Sequence, residues 1–457
     1  MAGPAEVGVA GAAGAGAAHA WPAPRVRYWA LAVIVLATFI TFFDSVIFGM
    51  LAERIKHDFG LTDAQLGFLA GPAGIIAYFF VGIPLARLAD VYPRKFVLAG
   101  GAMAMGVVIA AGGLAQSLGQ FIASRVFLAA SGSAHAPSSY SLLADAFPPQ
   151  RLTRAFALLQ FGFIGGTTLG PLVGGMLVMR SRHWDADLGP LHFHGWQWIL
   201  IGCGLAAVMV GLLFLTIGEP PRAMAPPPVK PAGGVLTVLG WDAFRAIAAR
   251  PRVFLPLFGA LALSATDSFG LAFWRVPFMI RTFGWNEGQI GPALGLTLLA
   301  GSLSGLVIGA VLVEWLAKRH KDANVRAAAI CFGCVTVASI ASPLMPNPYL
   351  SLAASGVGVA FGLAGAVPQN AAVQRVAPPA MRGQVTAIYL FMFTFFGAMG
   401  SFLVGLIQDR IVGDPHRLWL AMVICAATLL PVATLLMISA MRPYAAELDR
   451  IEAEETP

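Results

Sequence analysis

A chain of 457 residues, 58% of them hydrophobic and only 11% charged, with a mean hydropathy of +0.77, carries more apolar surface than a soluble core of that size can hide. Part of its solvent must be lipid, which excludes an ordinary soluble globular protein. The net charge of +7 would suit a polyanion, but the basic residues are distributed by topology, so no nucleic-acid partner is expected.

In chain order, residues 1–27 are mostly Ala and Gly, too poor in large apolar side chains for a signal-peptide core, and read as a disordered cytoplasmic tail. A membrane-crossing helix needs about 20 mostly apolar residues. Six such stretches fill residues 28–217, at 28–52, 64–88, 95–116, 119–145, 153–179 and 196–217. Residues 218–252 form a linker that passes through Pro226-Pro227-Pro228. In it Leu236, Leu239, Trp241, Phe244 and Ile247 alternate with Asp242, Arg245 and Arg250, as in an amphipathic helix on the membrane surface or a solvated linker helix. Six more spans fill residues 253–440, at 253–280, 287–316, 326–345, 349–375, 381–409 and 416–440, and 441–457 is a cytoplasmic tail.

With the N-terminus inside, 20 of the 29 Lys and Arg fall on the inner side, seven fall outside and two are embedded. This positive-inside bias predicts a multi-pass inner-membrane protein with both termini cytoplasmic. Cys203, Cys331, Cys334 and Cys425 all fall in spans, so no disulfide framework is expected, and the Cys331/Cys334 pair has no His or carboxylate nearby. The loop after the fifth span holds His183, Asp185, Asp187, His192 and His194. Their spacing matches no zinc template, and neither metal nor cofactor is expected.

The chain repeats internally. Phe59-Gly60-Leu61-Thr62-Asp63-Ala64-Gln65-Leu66-Gly67 recurs 224 residues later as Phe283-Gly284-Trp285-Asn286-Glu287-Gly288-Gln289-Ile290-Gly291, each copy opening a helix with an N-cap residue and an acid. The same offset carries Asp90 onto Glu314, Arg94 onto Lys318 and Lys95 onto Arg319. Pro137-Ser138-Ser139 matches Pro368-Gln369-Asn370, and Pro148-Pro149 matches Pro378-Pro379, at offsets of 230 to 231. The expected fold is an all-α membrane protein of twelve transmembrane helices in two pseudo-symmetric six-helix bundles.

These residues resemble the major facilitator superfamily of secondary transporters over about residues 28–440. Ala86-Arg87-Leu88-Ala89-Asp90-Val91-Tyr92-Pro93-Arg94-Lys95 is similar to its signature between the second and third helices, with Ala86 and Pro93 in place of glycines and Val91 in place of arginine. Gly166, Gly170-Pro171 and Gly174-Gly175 resemble its antiporter-associated motif. Gly82-Ile83-Pro84, Gly195-Trp196, Glu219-Pro220-Pro221-Arg222 and the run from Ser141 to Pro149 resemble the spinster-like branch. Asp44-Ser45 stands where that branch has Asp-Arg, and Gly132-Ser133-Ala134 where it has Gly-Glu-Ala. The resemblance implies a monomeric secondary transporter working by alternating access.

Ionisable groups at bilayer depth are costly and mark a pathway or coupling site by default. Asp44 and Arg125 lie at matched depths, roughly 9–12 Å from the outer face at 1.5 Å per residue. They read either as a structural ion pair or as a proton-coupling pair. Asp267 sits one residue off the repeat of Asp44, so each half is expected to present a carboxylate to the central cleft, and His135 lies deeper. Asp90, Arg94 and Lys95, with their repeats Glu314, Lys318 and Arg319, are expected to latch a cytoplasmic gate. Candidates for a substrate cavity are Tyr78, Ser133, Tyr140, Gln160, Trp274, Gln369, Asn370, Gln374 and Tyr389. Aromatics and amides with little fixed charge suit a small amphipathic, aromatic or lysolipid-like organic solute moved with protons. Arg125 keeps an organic-anion symporter open, and a non-transporting receptor or sensor is the alternative of another class. No G-x-S-x-G, H-E-x-x-H or P-loop motif is present, so neither an enzyme nor an ATP-driven pump is expected.

Overall fold

The computed structural model describes residues 21–75, 77–78, 81, 92–132, 135–188, 191–219, 241–377 and 381–455. Its helices are α1 (Pro24–Phe59), α2 (Asp63–Ala70), α3 (Arg94–Gly113), α4 (Leu118–Gly132), α5 (His135–Ala146), α6 (Pro149–Arg180), α7 (Gly195–Leu215), α8 (Trp241–Ala248), α9 (Pro251–Phe283), α10 (Glu287–Ala317), α11 (Ala323–Leu344), α12 (Pro348–Val376), α13 (Arg382–Ile407) and α14 (Leu418–Glu455). An antiparallel hairpin of β1 (Ala186–Leu188) and β2 (Leu191–Phe193) joins α6 to α7. Among the described residues, ten helices are long and apolar enough to cross a membrane. The second expected span begins as α2 and much of the rest of it lies outside the described residues, and the fourth is present as α4 and α5.

The repeat in the sequence is a repeat of structure. α1 and α9 each end at a glycine in the left-handed region, Gly60 at φ 63° and Gly284 at φ 68°, a conformation that costs glycine little. Thr62 and Asn286 then close matching capping boxes: each side chain accepts the N–H of Gln65 or Gln289, whose own side chain accepts the cap N–H. At the other end of the chain α14 runs unbroken to Glu455, so most of the expected tail is helical. Tyr444 and Leu448 are buried in the second half, and Glu447 pairs with Arg250 at 2.8 Å and Arg450 at 3.0 Å.

Two faces organise the rest. The start of α1 meets the end of α7 through Trp29 and Thr216, and the start of α9 meets the end of α14 through Arg250 and Glu447; this is the terminal face. The β-hairpin and the α1–α2 and α9–α10 turns form the opposite, hairpin face. On the hairpin side one apolar cluster draws on both halves, joining Ile47, Leu51 and Leu66 to Trp274, Phe278, Ile290 and Val404. On the terminal side each half keeps its own core, around Ile34, Phe147 and Phe214 in one and Phe254, Phe332 and Met437 in the other.

The halves meet along two seams, α6 on α10 and α2 on α13. Gly291 lies so close to the Pro171 carbonyl, and Gly67 to the Ser401 carbonyl, that a methyl group at either would overlap backbone. Gly67 and Gly291 are equivalent under the 224-residue repeat, so both seams use small residues to bring helix backbones together. Of the antiporter-like glycines, Gly166, Gly170 and Gly174 face α1, and Gly175 faces α10.

Candidate functional site

Among the described residues, ion pairs link the halves at the hairpin face, on residues singled out by the sequence only as helix-opening acids. Asp63 opens α2, and Glu287 opens α10. Arg281, in the last turn of α9, forks onto Asp63 at 2.7 and 2.8 Å and reaches Glu53 at 2.8 Å through Nε. Arg54, near the end of α1, donates to Glu287 at 3.0 Å, to Ser181 at 3.0 Å and to the Val178 carbonyl at 2.8 Å. Arg182 adds a 2.9 Å contact to Glu287, and Lys56 a 2.6 Å contact to Asp63. Each half thus offers a buried carboxylate to an arginine of the other; the two acids are equivalent under the 224-residue repeat, whereas the two arginines are not. Asp409, in the π-helical turn that ends α13, accepts the N–H groups of Asp63 and Ala64 at 3.2 and 2.7 Å and closes the second seam. Charge-assisted, bidentate pairs of this kind fix geometry as well as adding attraction.

At mid-depth, Asp44 Oδ2 lies 4.0 Å from Arg125 Nη1, and the guanidinium sits over the rings of Phe48 and Phe121 at 5.0 and 5.2 Å. Arg125 points inward, against Gly112 of α3 and Cys203 of α7. Asp44 Oδ1 and Arg125 Nε and Nη2 make no hydrogen bond among the described residues. Asp267 is likewise enclosed in the second half, beside Ser339 of α11 and Cys425 of α14, with Arg275 two turns further along α9. Both carboxylates are therefore buried inside their own bundles instead of facing the space between them, as the sequence led one to expect. For Asp44 the cause is helix rotation: Thr41, one turn before it, contacts Met105 of α3, so that face of α1 looks into its own bundle. His135 also faces inward, 3.2 Å from Thr38, at a small cleft lined as well by Thr41, Met105 and Gly132.

At the terminal face Arg94 is buried and bonded to the Ser141 carbonyl at 2.7 Å, to Asp145 and, through its backbone N–H, to Glu219 at 2.9 Å. Glu219 also accepts the Lys95 N–H at 3.0 Å, capping α3. These contacts join α3, the end of α5 and the end of α7 within one half. The repeated cluster behaves differently: Glu314 and Lys318 form an exposed pair at 3.7 Å along α10, and Arg319 lies over the Trp315 ring at 5.0 Å. Asp90 lies outside the described residues. Lys321, with Glu452 and Asp449 each at 2.9 Å, is held above the usual lysine pKa by those hydrogen bonds.

Of the cavity candidates, Tyr78, Tyr140, Gln160 and Gln374 are exposed and Asn370 half-buried, Tyr140 standing edge-on to Phe156 at 5.3 Å. Trp274 is fully buried and donates to the Ser401 carbonyl at 2.7 Å, joining α9 to α13. Gln369 and Tyr389 are buried in the second half, the first 3.5 Å from the Leu257 carbonyl and the second 6.2 Å from the Phe258 ring. Ser133 lies outside the described residues. The sequence missed Arg54, Arg281 and the exchange between Asp63 and Glu287. The available signal was a pair of repeat-equivalent acids, each with an arginine close before the preceding helix-ending glycine.

Comparison with known proteins agrees with this architecture. The profile of the Major Facilitator Superfamily matches residues 34–401. An MFS-type efflux pump of Mycolicibacterium smegmatis is 28% identical over 86% of this chain and 86% of its own. A gallate transporter of Pseudomonas putida is 23% identical over 86% of this chain and 88% of its own. The crystal structure of a bacterial homologue of the human lysosomal transporter Spinster, inward-facing and unoccupied, has the same fold, with a TM-score of 0.77 at 21% identity over 95% of this chain and 99% of that one.

Proposed function

Because the chain belongs to the Major Facilitator Superfamily of secondary transporters, we propose that it carries a small amphipathic or aromatic organic solute, lysolipid-like molecules included, across the inner membrane by alternating access linked to protons. It is a transporter and not an enzyme. The observation that carries the alternating-access reading is the contrast between one apolar core shared by both halves at the hairpin face and two separate cores at the terminal face. In this state the solute pathway would open to the terminal face between α2, α6, α10 and α13, past Tyr78, Tyr140, Gln160 and Asn370, with the hairpin face opening in the alternate state. The charge asymmetry of the loops supports a cytoplasmic terminal face.

Proton linkage is assigned to the Asp44–Arg125 pair, with Asp267 as its counterpart. A carboxylate this enclosed, with one oxygen lacking a hydrogen bond among the described residues, exchanges a proton more readily than a satisfied pair. The aromatic-acid and efflux relatives support an aromatic cargo. Flux in proteoliposomes under an imposed pH gradient, across lysolipids, aromatic acids and hydrophobic cations, tests both parts. The expected result is gradient-driven flux of one class in the wild-type monomer and its loss in Asp44→Asn. Gradient-driven flux that survives Asp44→Asn removes Asp44 from the coupling, and binding without flux under any gradient favours a receptor.

A further inference from the structure

The hairpin between α6 and α7 carries chemistry that the transport reading does not use. Its register pairs Ala186 with Phe193 and Asp187 with His192. Side chains alternate along a strand, so Phe193 turns into the protein, where it is buried, while Asp187 and His192 share the opposite face. One step further out, Asp185 and His194 flank the strands in the same phase. An Asp-x-Asp segment thereby faces a His-x-His segment, an arrangement that the linear spacing did not disclose because it is made across the turn.

From this geometry we propose that Asp185, His192 and His194 bind one divalent transition-metal ion of the zinc type at the hairpin face. Their donor atoms lie within 4.8 Å of one another, and the two imidazoles stand nearly perpendicular at 81°, their centroids 4.8 Å apart. Tetrahedral zinc with bonds of about 2.0–2.2 Å requires donors about 3.3 Å apart. The side chains are at least partly exposed, which leaves them room to turn toward a shared ion.

Each donor is already oriented by a neighbour. Asp187 bonds His192 Nδ1 at 2.6 Å, which leaves Nε2 as the ring nitrogen for a metal. Asp58, at the end of α1, lies 3.7 Å from His194 Nδ1 and is itself fixed by the Trp196 indole N–H at 2.6 Å. One oxygen of Asp185 accepts the Gly195 N–H at 2.7 Å, and its other oxygen remains for the ion. Two imidazoles and one carboxylate suit zinc and its neighbours, whereas calcium and magnesium call for oxygen donors. All these residues belong to the first half, so the ion would brace the hairpin against α1 and α7 without bridging the halves.

The test is calorimetric titration of zinc chloride into tag-free protein in nanodiscs, with calcium chloride as the comparison ion. The expected result is saturable one-to-one zinc binding, no calcium binding and a loss of at least tenfold in affinity for His192→Ala and for His194→Ala. Asp187→Asn, which keeps all three donors, is expected to weaken binding about tenfold through loss of orientation, while His183→Ala leaves it unchanged. An unaltered elution profile shows that the variants are folded. Absence of saturable zinc binding, or binding that survives the double variant His192→Ala/His194→Ala, overturns the proposal.

Discussion

At the hairpin face charged side chains reach from one half to the other; at the terminal face the ion pairs seen among the described residues stay within the half that carries them. Arg281 with Asp63 and Arg54 with Glu287 are exchanges between bundles, whereas Arg94 with Asp145 and Arg250 with Glu447 join helix ends of a single bundle. The apolar cores divide in the same way. Under the alternating access proposed above, the cross-half links are made or broken as the halves rock, so they bear on which face is closed. The within-half links keep each bundle rigid while it rocks, and bear on stability instead.

The sharpest way to break this contrast is Arg281→Ala. It leaves the Asp63 carboxylate, 3% exposed, with Lys56 as its remaining cation at that site. Removing one partner of a buried pair costs about 3–5 kcal/mol, and here the cost falls on the closed hairpin face. Distances between spin labels placed across that face should lengthen and solute flux should fall. Adding Asp63→Ala should recover part of the loss, with a coupling of about 1 kcal/mol or more. Unchanged distances would mean that the apolar core and glycine seams close this face by themselves.

Much of the scaffold was legible in the sequence because it depends on local chemistry. Glycine after a helix, an N-cap residue and glutamine three positions on specify the α1–α2 and α9–α10 turns wherever they occur, and span lengths follow from bilayer thickness. The site was less legible because it depends on helix rotation and on partners far apart in the chain. Arg281 and Asp63 are 218 residues apart, and nothing near either names the other. Asp44 and Arg125 were found by matched depth, but depth says nothing about facing direction, which the packing of α1 against α6 and α7 decides. Trp274 read as a cavity aromatic because composition cannot separate a ring that meets solute from one whose N–H bonds a neighbouring helix.

Arg94→Ala tests the other side of the comparison. Arg94 is 3% exposed, and its loss strands Asp145 at the joint between α3 and α5. Thermal stability should fall by about 2–4 kcal/mol, while label distances across the hairpin face stay as in wild type. A shift in those distances would make Arg94 part of the access equilibrium and erase the division drawn between the faces.

The smallest effect is expected at the repeated cluster, and it is informative because the repeat pairs Arg94 with Lys318. If position in the repeat conferred the role, Glu314→Ala would disturb the terminal face much as Arg94→Ala disturbs the first half. The surroundings argue otherwise: the Glu314 and Lys318 side chains are 76% and 73% exposed and meet along a single helix. An exposed pair four residues apart contributes about 0.3–0.5 kcal/mol at low salt and less as salt rises. Glu314→Ala should leave melting temperature and flux within error of wild type at physiological salt. A clear loss of flux with stability unchanged would show that Glu314 finds a partner across the halves once the terminal face closes, the cytoplasmic latch that the sequence repeat suggests.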